Sequence, residues 1–506
     1  MLDKAANVID NLVDGISMYR LLLFYLLGML LAAIGLSAAG VLKLSAIDIA
    51  ISAAILVFAC FVINKALASI FRAPTNPESS ILTGLILALI ITPQPTGTGL
   101  LFLLAASGLA MGSKYILTIK HKHIFNPAAI AVVLTAIGPR QTASWWVGTA
   151  SMLPFVIIGG IIVARKVRRE NMIMWFLIAT TITTVGFAIA SGMGVGTTLK
   201  SMVLDSAVFF LGFVMLTEPY TSPTTKYKQI WYAIIVGVIM APQFHIGHYY
   251  STPEVALIIG NIFAYIVGSK VKLFPALYRK YKIAKDSAEF EFIPDRKLDY
   301  LPGQYMEFTL PHEKTDSRGA RRYFTLSSSP TEENIKIGVK FYDDGSSYKS
   351  ALLDIDTNTP IVAAQLGGDF VLPADPEEKL VFIAGGIGIT PFRSMIKYLV
   401  DTKEKRDITL IYSARSEDEL AYRQLFDEAT KQIGLTVHYV LTGRSGRTSK
   451  RMSINEHLIR TAVPDIDERV FYISGTHHMV ESIQERLHDM GVKHGNIKTD
   501  FFPGYA

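Results

Sequence analysis

The chain has 506 residues, with 49 Lys and Arg against 43 Asp and Glu, a net charge of +6, and 50% apolar residues. That length allows about two or three domains, and the positive mean hydropathy excludes a purely soluble enzyme. The single cysteine, Cys60, excludes an intrachain disulfide and a thiolate-held iron–sulfur cluster, which needs about four cysteines.

Apolar residues lie almost entirely before Phe274, and after Tyr278 charged residues recur every few positions, so a membrane domain at 1–274 is expected to precede a soluble part. The first twenty residues hold Asp3, Asp10 and Asp14 rather than the basic start of a cleaved signal peptide. Leu12, Val13 and Ile16 fit either a short amphipathic helix on the membrane or a solvated leader. Apolar runs fall near 19–43, 46–70, 79–92, 97–118, 124–138, 145–164, 172–190, 200–217, 229–244 and 254–270, predicting about ten segments in an α-helical membrane domain. Two of them, 79–92 and 124–138, are short for a span and are expected to be broken or re-entrant. If the N-terminus is inside, the inner loops hold Lys65 and Arg72; Lys114, Lys120 and Lys122; Arg165, Lys166, Arg168 and Arg169; then Lys226 and Lys228. The outer loops hold only Lys43, Arg140 and Lys200. This bias predicts a multi-pass protein of the cytoplasmic membrane with both termini in the cytoplasm. It also accounts for the net charge without a nucleic-acid partner.

The run Ser80-Ile81-Leu82-Thr83-Gly84, ending at Thr92-Pro93, returns loosely as Ser206 through Gly212 to Thr217-Glu218-Pro219. One copy ends on the outer side and the other on the inner side, as an inverted repeat with interrupted helices requires. The stretches Ser80 to Leu89, Ile124-Phe125-Asn126-Pro127-Ala128-Ala129, and Phe213 to Pro223 resemble the D-type membrane protein of the Rnf complex and the B-type membrane protein of the sodium-pumping NADH:quinone reductase. The resemblance implies a second flavin (FMN or riboflavin) in the membrane domain, near Asn126, Thr149 and Thr217. In those families one flavin is often esterified to a threonine of a Ser/Thr-Gly-Ala-Thr motif. Here the equivalent stretch reads Trp145-Trp146-Val147-Gly148-Thr149-Ala150-Ser151, so that motif is not intact. Trp145 and Trp146 read as interfacial anchors.

From 285 to 372, short alternating runs such as Tyr305 to Phe308, Ile335 to Val339 and Ile361 to Ala364 predict a small antiparallel barrel. It holds Arg322-Tyr323-Phe324-Thr325-Leu326-Ser327-Ser328 and Gly345-Ser346-Ser347-Tyr348-Lys349. From 373 to 506, strands at 379–384, 407–413, 436–441 and 469–474 alternate with helices, predicting an α/β doubly wound sheet with its ligand at the carboxyl ends of strands. The first strand runs into Ala384-Gly385-Gly386-Ile387-Gly388-Ile389-Thr390-Pro391. Clustered glycines there let a backbone approach a pyrophosphate, and the following helix N-terminus favours its charge. The chain closes on Thr499-Asp500-Phe501-Phe502-Pro503-Gly504-Tyr505.

These three motifs, in this order, resemble the ferredoxin-NADP reductase family. The resemblance implies FAD in the barrel, with Arg322 on the pyrophosphate, Phe324 stacked on the isoalloxazine, Thr325 donating near its N5 and Ser328 supporting the turn. Gly345, Ser346, Ser347 and Tyr348 form the second phosphate loop. Gly385, Gly386, Gly388, Thr390 and Pro391 line NAD(P)H, and Ser413 and Arg415 reach the adenosine ribose. Ser474 and Gly475 stand where the family usually has Cys-Gly beside the nicotinamide, which makes Thr325 and Ser474 the catalytic candidates. Asp500 and Phe501 fall on the end motif, and Tyr505 stacks over the flavin. Arg415 and Arg444 leave NADH and NADPH undecided.

Membrane-bound reductases that use two haems need paired histidines on facing helices. His121 and His123 lie at an inner loop here, and His245 and His248 at an outer end. The expected activity is therefore NAD(P)H oxidation through FAD and a membrane flavin, with no metal, delivered to an extracytoplasmic flavin or flavoprotein. A quinone acceptor and a solute channel with a regulatory reductase domain are the alternatives.

Overall fold

The computed structural model describes residues 16–71, 77–119, 122–138, 141–205, 207–241, 244–246, 249–268, 271–343, 345–443 and 454–502. It divides into two compact units, Met1–Lys270 and Val271–Ala506.

In the first unit, four helices among the described residues are long and apolar enough to cross a membrane: α1 (Met18–Ala38), α2 (Ala46–Ile70), α4 (Gly97–Ile116) and α7 (Glu170–Ala190). The pair α8 (Val195–Leu204) and α9 (Val208–Met215) passes the same test only when taken together, and it is bent by 54°. The others are short: α3 (Pro77–Ile90), α5 (Pro127–Ile137), α6 (Leu153–Val167), α10 (Lys226–Met240) and α11 (Pro253–Val267). Fourteen residues of α3 reach about 21 Å, short of a ~30 Å hydrocarbon core. Of the ten expected segments, four are helices of spanning length among the described residues, or five with the bent pair, and the others are shorter. The run at 145–164 becomes helical only at Leu153, and the run at 200–217 is broken.

The half-helices end where the sequence supplies other partners for their last carbonyls. At the end of α3, the carbonyls of Leu89 and Ile90 accept from the backbone of Val147 and Trp145, and Trp146 Nε1 donates to Ala88 and Ile91 at 3.1 and 3.0 Å. A helix end inside an apolar unit needs such partners. Trp145 in turn donates from Nε1 to Glu254 at 2.9 Å. Both tryptophans are buried, so they are internal caps and not the interfacial anchors their sequence position suggested. Three of the short helices begin with proline, Pro77 in α3, Pro127 in α5 and Pro253 in α11, where the missing N–H costs no hydrogen bond.

The second unit starts before residue 285. Strands β1 (Lys272–Leu273) and β2 (Ala276–Ala284) already belong to it, and β1 covers Leu273, inside the stretch the sequence assigned to the membrane part. After β3 (Ser287–Ile293), β4 (Tyr305–Thr309), β5 (Arg321–Thr325), β6 (Ile335–Lys340) and β7 (Val362–Gly367), the strands form two sheets, ordered β6-β3-β2 and β1-β7-β4-β5. An isolated bridge, Leu326 to Ile337, joins them. What the sequence suggested as a barrel is two antiparallel sheets closed over one core of Phe290, Phe292, Met306, Phe308, Ile337 and neighbours.

The remainder is a five-stranded parallel sheet of β8 (Lys379–Gly385), β9 (Ile408–Ala414), β10 (Thr436–Leu441), β11 (Arg469–Thr476) and β12 (Ile497–Phe502), ordered β10-β9-β8-β11-β12. The first strand in sequence lies at the centre, and the winding reverses between β8 and β11. A crevice opens at such a reversal, outside the carboxyl ends of the strands. The helices α12 (Ser347–Asp354), α13 (Thr390–Thr402), α14 (Arg423–Ile433), α15 (Glu456–Ala462) and α16 (His477–Asp489) complete the unit.

Candidate active site

Alternation along β5 puts Arg322 and Phe324 on one face and Tyr323 and Thr325 on the other. The Arg322 guanidinium lies over the Tyr348 ring, 5.1 Å from its centre, and Phe324 packs between Phe308 and Tyr348 at 6.0 Å from each. Arg322 Nη1 donates to the carbonyls of Arg318, Gly319 and Arg321, fixing its approach. Lys349, one residue after Tyr348, lies 4.7 Å over Tyr342. Burial, with the charges of Arg322 and Arg318 added, pulls the Lys349 ammonium down to about 8. Cations that disfavour one another in this way favour a polyanion beside them. The Arg322 and Lys349 cations beside the aromatic faces of Phe324 and Tyr348 are of the chemistry that fits a dinucleotide with a pyrophosphate. A groove of about 510 Å³, lined by His312, Lys314, Ser347, Ser350 and Asp354 among others, includes none of these four residues.

The expected phosphate loop is the N-terminus of α12. Ser346 caps it, accepting from Lys349 N, and Ser347 N donates to the Asp316 carboxylate at 3.0 Å. Burial would raise that carboxyl, but Ser347 N–H and Arg318 overcome it and hold Asp316 at about 2. One of the N–H groups expected to face a phosphate thus already has an anion, supplied by the chain itself. Thr325 is buried. The Ser328 Oγ accepts from Lys336 N at 3.0 Å and pairs with Tyr300 Oη at 2.9 Å.

The crevice of the parallel sheet gathers the second group. In register, Gly385 lies opposite Ser413, Ala384 opposite Ser474, and Ser474 opposite Asp500 with Gly475 opposite Phe501. A Cβ on Gly388 would stand 2.5 Å from the Ser474 carbonyl oxygen, so only glycine lets the turn close on β11. Gly386 has φ +53° and open space beside it, as a backbone exposed to a ligand requires. Thr390 Oγ1 donates to Ile387 O at 3.1 Å, and Pro391 sits in the first turn of α13. Ser474 is fully buried, yet its Oγ finds no hydrogen-bond partner among the described residues. Arg415 is exposed just past β9. Tyr505 and Arg444 lie outside the described residues.

In the first unit, Asn126 and Thr217 line one cavity with Ser79, Thr83, Glu218 and Pro219, so the three stretches singled out in the sequence converge there. Asn126 is spent on structure: its Nδ2 donates to Glu218 at 2.8 Å and its Oδ1 accepts from Ala128 and Ala129 N. Thr217 Oγ1 donates to Phe213 O. The cavity measures about 50 Å³, room for a few water molecules but not for a flavin. Thr149 does not line it. Its Oγ1 is buried without a hydrogen-bond partner among the described residues.

The residues that join the two halves of the second unit carry no motif in the sequence. Arg393 on α13 donates from Nη1 to Ser327 O at 2.8 Å and pairs with Glu332. Burial would raise the Glu332 carboxyl, but Arg393 and Lys336 bring it to about 2. Ser394 donates to Ser328 O, and Lys340 pairs with Glu419 at 2.9 Å. A hint was present, since Arg393 and Ser394 closely follow the Gly-rich turn and Ser327 and Ser328 end the Arg322 motif.

The oxidoreductase NAD-binding domain family matches residues 382–485. Among curated relatives, a flavohemoprotein of Oceanobacillus iheyensis is 28% identical over 236 residues, 44% of this chain and 57% of that protein. The reductase component of a glycine betaine monooxygenase from Chromohalobacter salexigens is 23% identical, over 41% of this chain and 57% of that protein. The chain thus spans little more than half the length of these two relatives. The FAD/NAD-binding domain of a nitric oxide dioxygenase from Vibrio cholerae is 23% identical, over 46% of this chain and 98% of that one, with a TM-score of 0.39. Within the second unit, residues 382–485 are thus similar to oxidoreductase NAD-binding domains.

Proposed function

We propose that the protein is a membrane-bound NAD(P)H-dependent flavin oxidoreductase that takes electrons from cytoplasmic NAD(P)H into FAD and delivers them to an acceptor at or beyond the bilayer. One observation carries this reading. The cationic Arg322–Tyr348–Lys349 face and the Gly388–Ser474 crevice lie in one compact unit, and α13 joins them through Arg393 and Ser394. FAD, when bound, supplies the acceptor for a hydride from the nicotinamide and passes its electrons on. Everything else is positioning by this chain. Arg322 and Lys349 meet the pyrophosphate charge, and a planar guanidinium suits it best. Phe324 offers a ring face, Thr325 a hydroxyl for the flavin edge, and Gly386 an unobstructed backbone for the nucleotide. Ser474 offers a buried hydroxyl without a partner among the described residues.

Four long apolar helices among the described residues support a membrane location, and the lysine and arginine loop bias supports cytoplasmic termini. A second flavin is proposed at Thr149, because its hydroxyl is buried and has no partner among the described residues; the Asn126–Thr217 cavity is too small for one. An acceptor outside the membrane follows from that assignment, and quinone is the second reading.

Purified full-length protein should be yellow, and NADH or NADPH should bleach it anaerobically. A folded, colourless protein that gains no flavin on incubation with FAD would overturn the reading.

A further inference from the structure

We propose that Glu289 is a positioning residue: through Ser327 and Tyr422 it sets the separation between the flavin edge and the nucleotide crevice. The inference rests on the oxidoreductase reading above. Glu289 lies on β3, at 1% exposure, in the three-stranded sheet and not in the one that carries Arg322 and Phe324. Its Oε1 accepts from Ser327 Oγ at 2.7 Å and from Tyr422 Oη at 2.6 Å. Its Oε2 accepts from Tyr281 Oη. A buried carboxylate that receives three hydroxyl donors is a fully satisfied hub, and truncating one arm leaves buried polar atoms without partners.

The arms lead to opposite sides of the site. Ser327 lies two residues beyond Thr325, and its carbonyl also holds Arg393 of α13. Tyr422 comes from the nucleotide half, at the N-terminus of α14, in the left-handed conformation at φ +60°. A non-glycine residue holds that conformation only when its surroundings fix it. Burial and the neighbouring Glu289 carboxylate push the Tyr422 hydroxyl well above its ordinary range, so it remains a donor at any physiological pH.

The cross-strand partner of Glu289 completes the joint. Gly338 pairs with Glu289 in the β6–β3 ladder. A Cβ at Gly338 would stand 2.7 Å from Tyr422 Oη, 2.8 Å from Thr390 Cγ2 and 3.5 Å from Ile387 Cδ1. The Gly-rich turn, the Tyr422 hydroxyl and the β6–β3 ladder therefore meet at one point, and Glu289 accepts there from Tyr422 and Ser327. Neither Glu289 nor Tyr422 is among the residues assigned to contact FAD or nucleotide, so altering them shifts geometry without removing a ligand contact.

The test uses full-length Glu289→Gln and Tyr422→Phe proteins. Flavin content and the KM for the pyridine nucleotide should stay within about two-fold of wild type. The rate of anaerobic flavin reduction should fall about ten-fold or more, because a misplacement of about 1 Å costs up to ~100-fold. The primary isotope effect with 4-deuterated nucleotide should rise. In flavin-stripped protein, amide exchange over 417–422 should quicken in both variants, a readout independent of turnover. Tyr422→Phe removes one hydroxyl and serves if Glu289→Gln does not fold. Reduction within two-fold of wild type, or a loss of flavin in step with the loss of rate, would overturn the positioning role. A wild-type protein that binds flavin but is not reduced by either nucleotide would instead overturn the oxidoreductase reading.

Discussion

The Arg322 guanidinium lies over the Tyr348 ring at 5.1 Å, and the ammonium of the next residue, Lys349, is drawn down to about 8 by burial and by the charges of Arg322 and Arg318. Two cations held this close repel one another and cost the free protein stability. A pyrophosphate bound beside them would recover that cost.

The pH dependence follows with a definite sign. An unfolded lysine titrates near ~10.4, so between about 8 and ~10.4 the unfolded chain holds more protons at Lys349 than the flavin-free fold. Apoprotein stability should therefore rise as pH increases through about 8. FAD favours the charged form, so its affinity should fall over the same window. Calorimetry of FAD binding at about pH 7 and about pH 9, either side of that value, checks this, and Lys349→Gln should flatten the slope. A slope unchanged in Lys349→Gln would remove Lys349 from the pyrophosphate site.

Arg322→Ala should weaken FAD retention by about 1.5–3 kcal/mol, the worth of a charge-assisted hydrogen bond. Because Arg322 also holds the carbonyls of Arg318, Gly319 and Arg321, the variant should loosen that loop too. Arg322→Lys, which lacks the planar fork, should recover only part of the affinity. Equilibrium dialysis of the two variants measures both effects.

The two central glycines should behave differently. At Gly386 the left-handed φ strains a β-branched residue, but asparagine tolerates it and its side chain enters open space. Gly386→Asn should keep flavin and stability while raising the nucleotide dissociation constant about ten-fold. Gly388→Ala forces a Cβ against the Ser474 carbonyl and should destabilise the unit by ~1–3 kcal/mol. Full nucleotide affinity in Gly386→Asn would move the nucleotide away from this turn.

Ser474→Ala removes a buried hydroxyl without a partner among the described residues, so the flavin-free protein should be unchanged or up to ~1 kcal/mol more stable. Flavin reduction should nevertheless slow, and Ser474→Cys should restore it. Equal reduction rates in Ser474→Ala and wild type would remove Ser474 from catalysis.

The parallel sheet was legible in the sequence because each buried strand is a continuous apolar run closed by turn residues; β8 through β11 fall on the expected segments. The fifth strand, Ile497–Phe502, was hidden because Lys498, Thr499 and Asp500 interrupt its apolar pattern. In the first unit, hydropathy measures composition and not length along the membrane normal. The caps that Trp145, Trp146 and Asn126 provide, which decide where α3 ends and α5 begins, carry no periodic signal. The Glu289 hub was equally illegible: an acidic residue alternating with Phe290 and Phe292 reads as solvent-facing until Tyr422, more than 130 residues away, closes over it.

The last prediction concerns the first unit. A cytoplasmic FAD does not reach an acceptor across ~30 Å of hydrocarbon without a relay, and Thr149 carries a buried hydroxyl with no partner among the described residues. Full-length protein should therefore contain more than one flavin per chain, and a fragment beginning at Val271, where the second unit starts, should contain one. Beginning the fragment at 285 would delete β1 and β2 and is expected to give an unstable product. Thr149→Ala should lose the additional flavin while keeping NADH oxidation with an artificial acceptor, and acid precipitation of the wild type shows whether that flavin is covalent. Asn126→Ala, by contrast, removes the N-cap of α5 and the Glu218 contact, so it should lower the yield of folded membrane protein by a cap-sized ~1 kcal/mol or more. A flavin-to-protein ratio of one in both the full-length protein and the fragment would leave the first unit without a relay and shift the assignment to quinone reduction.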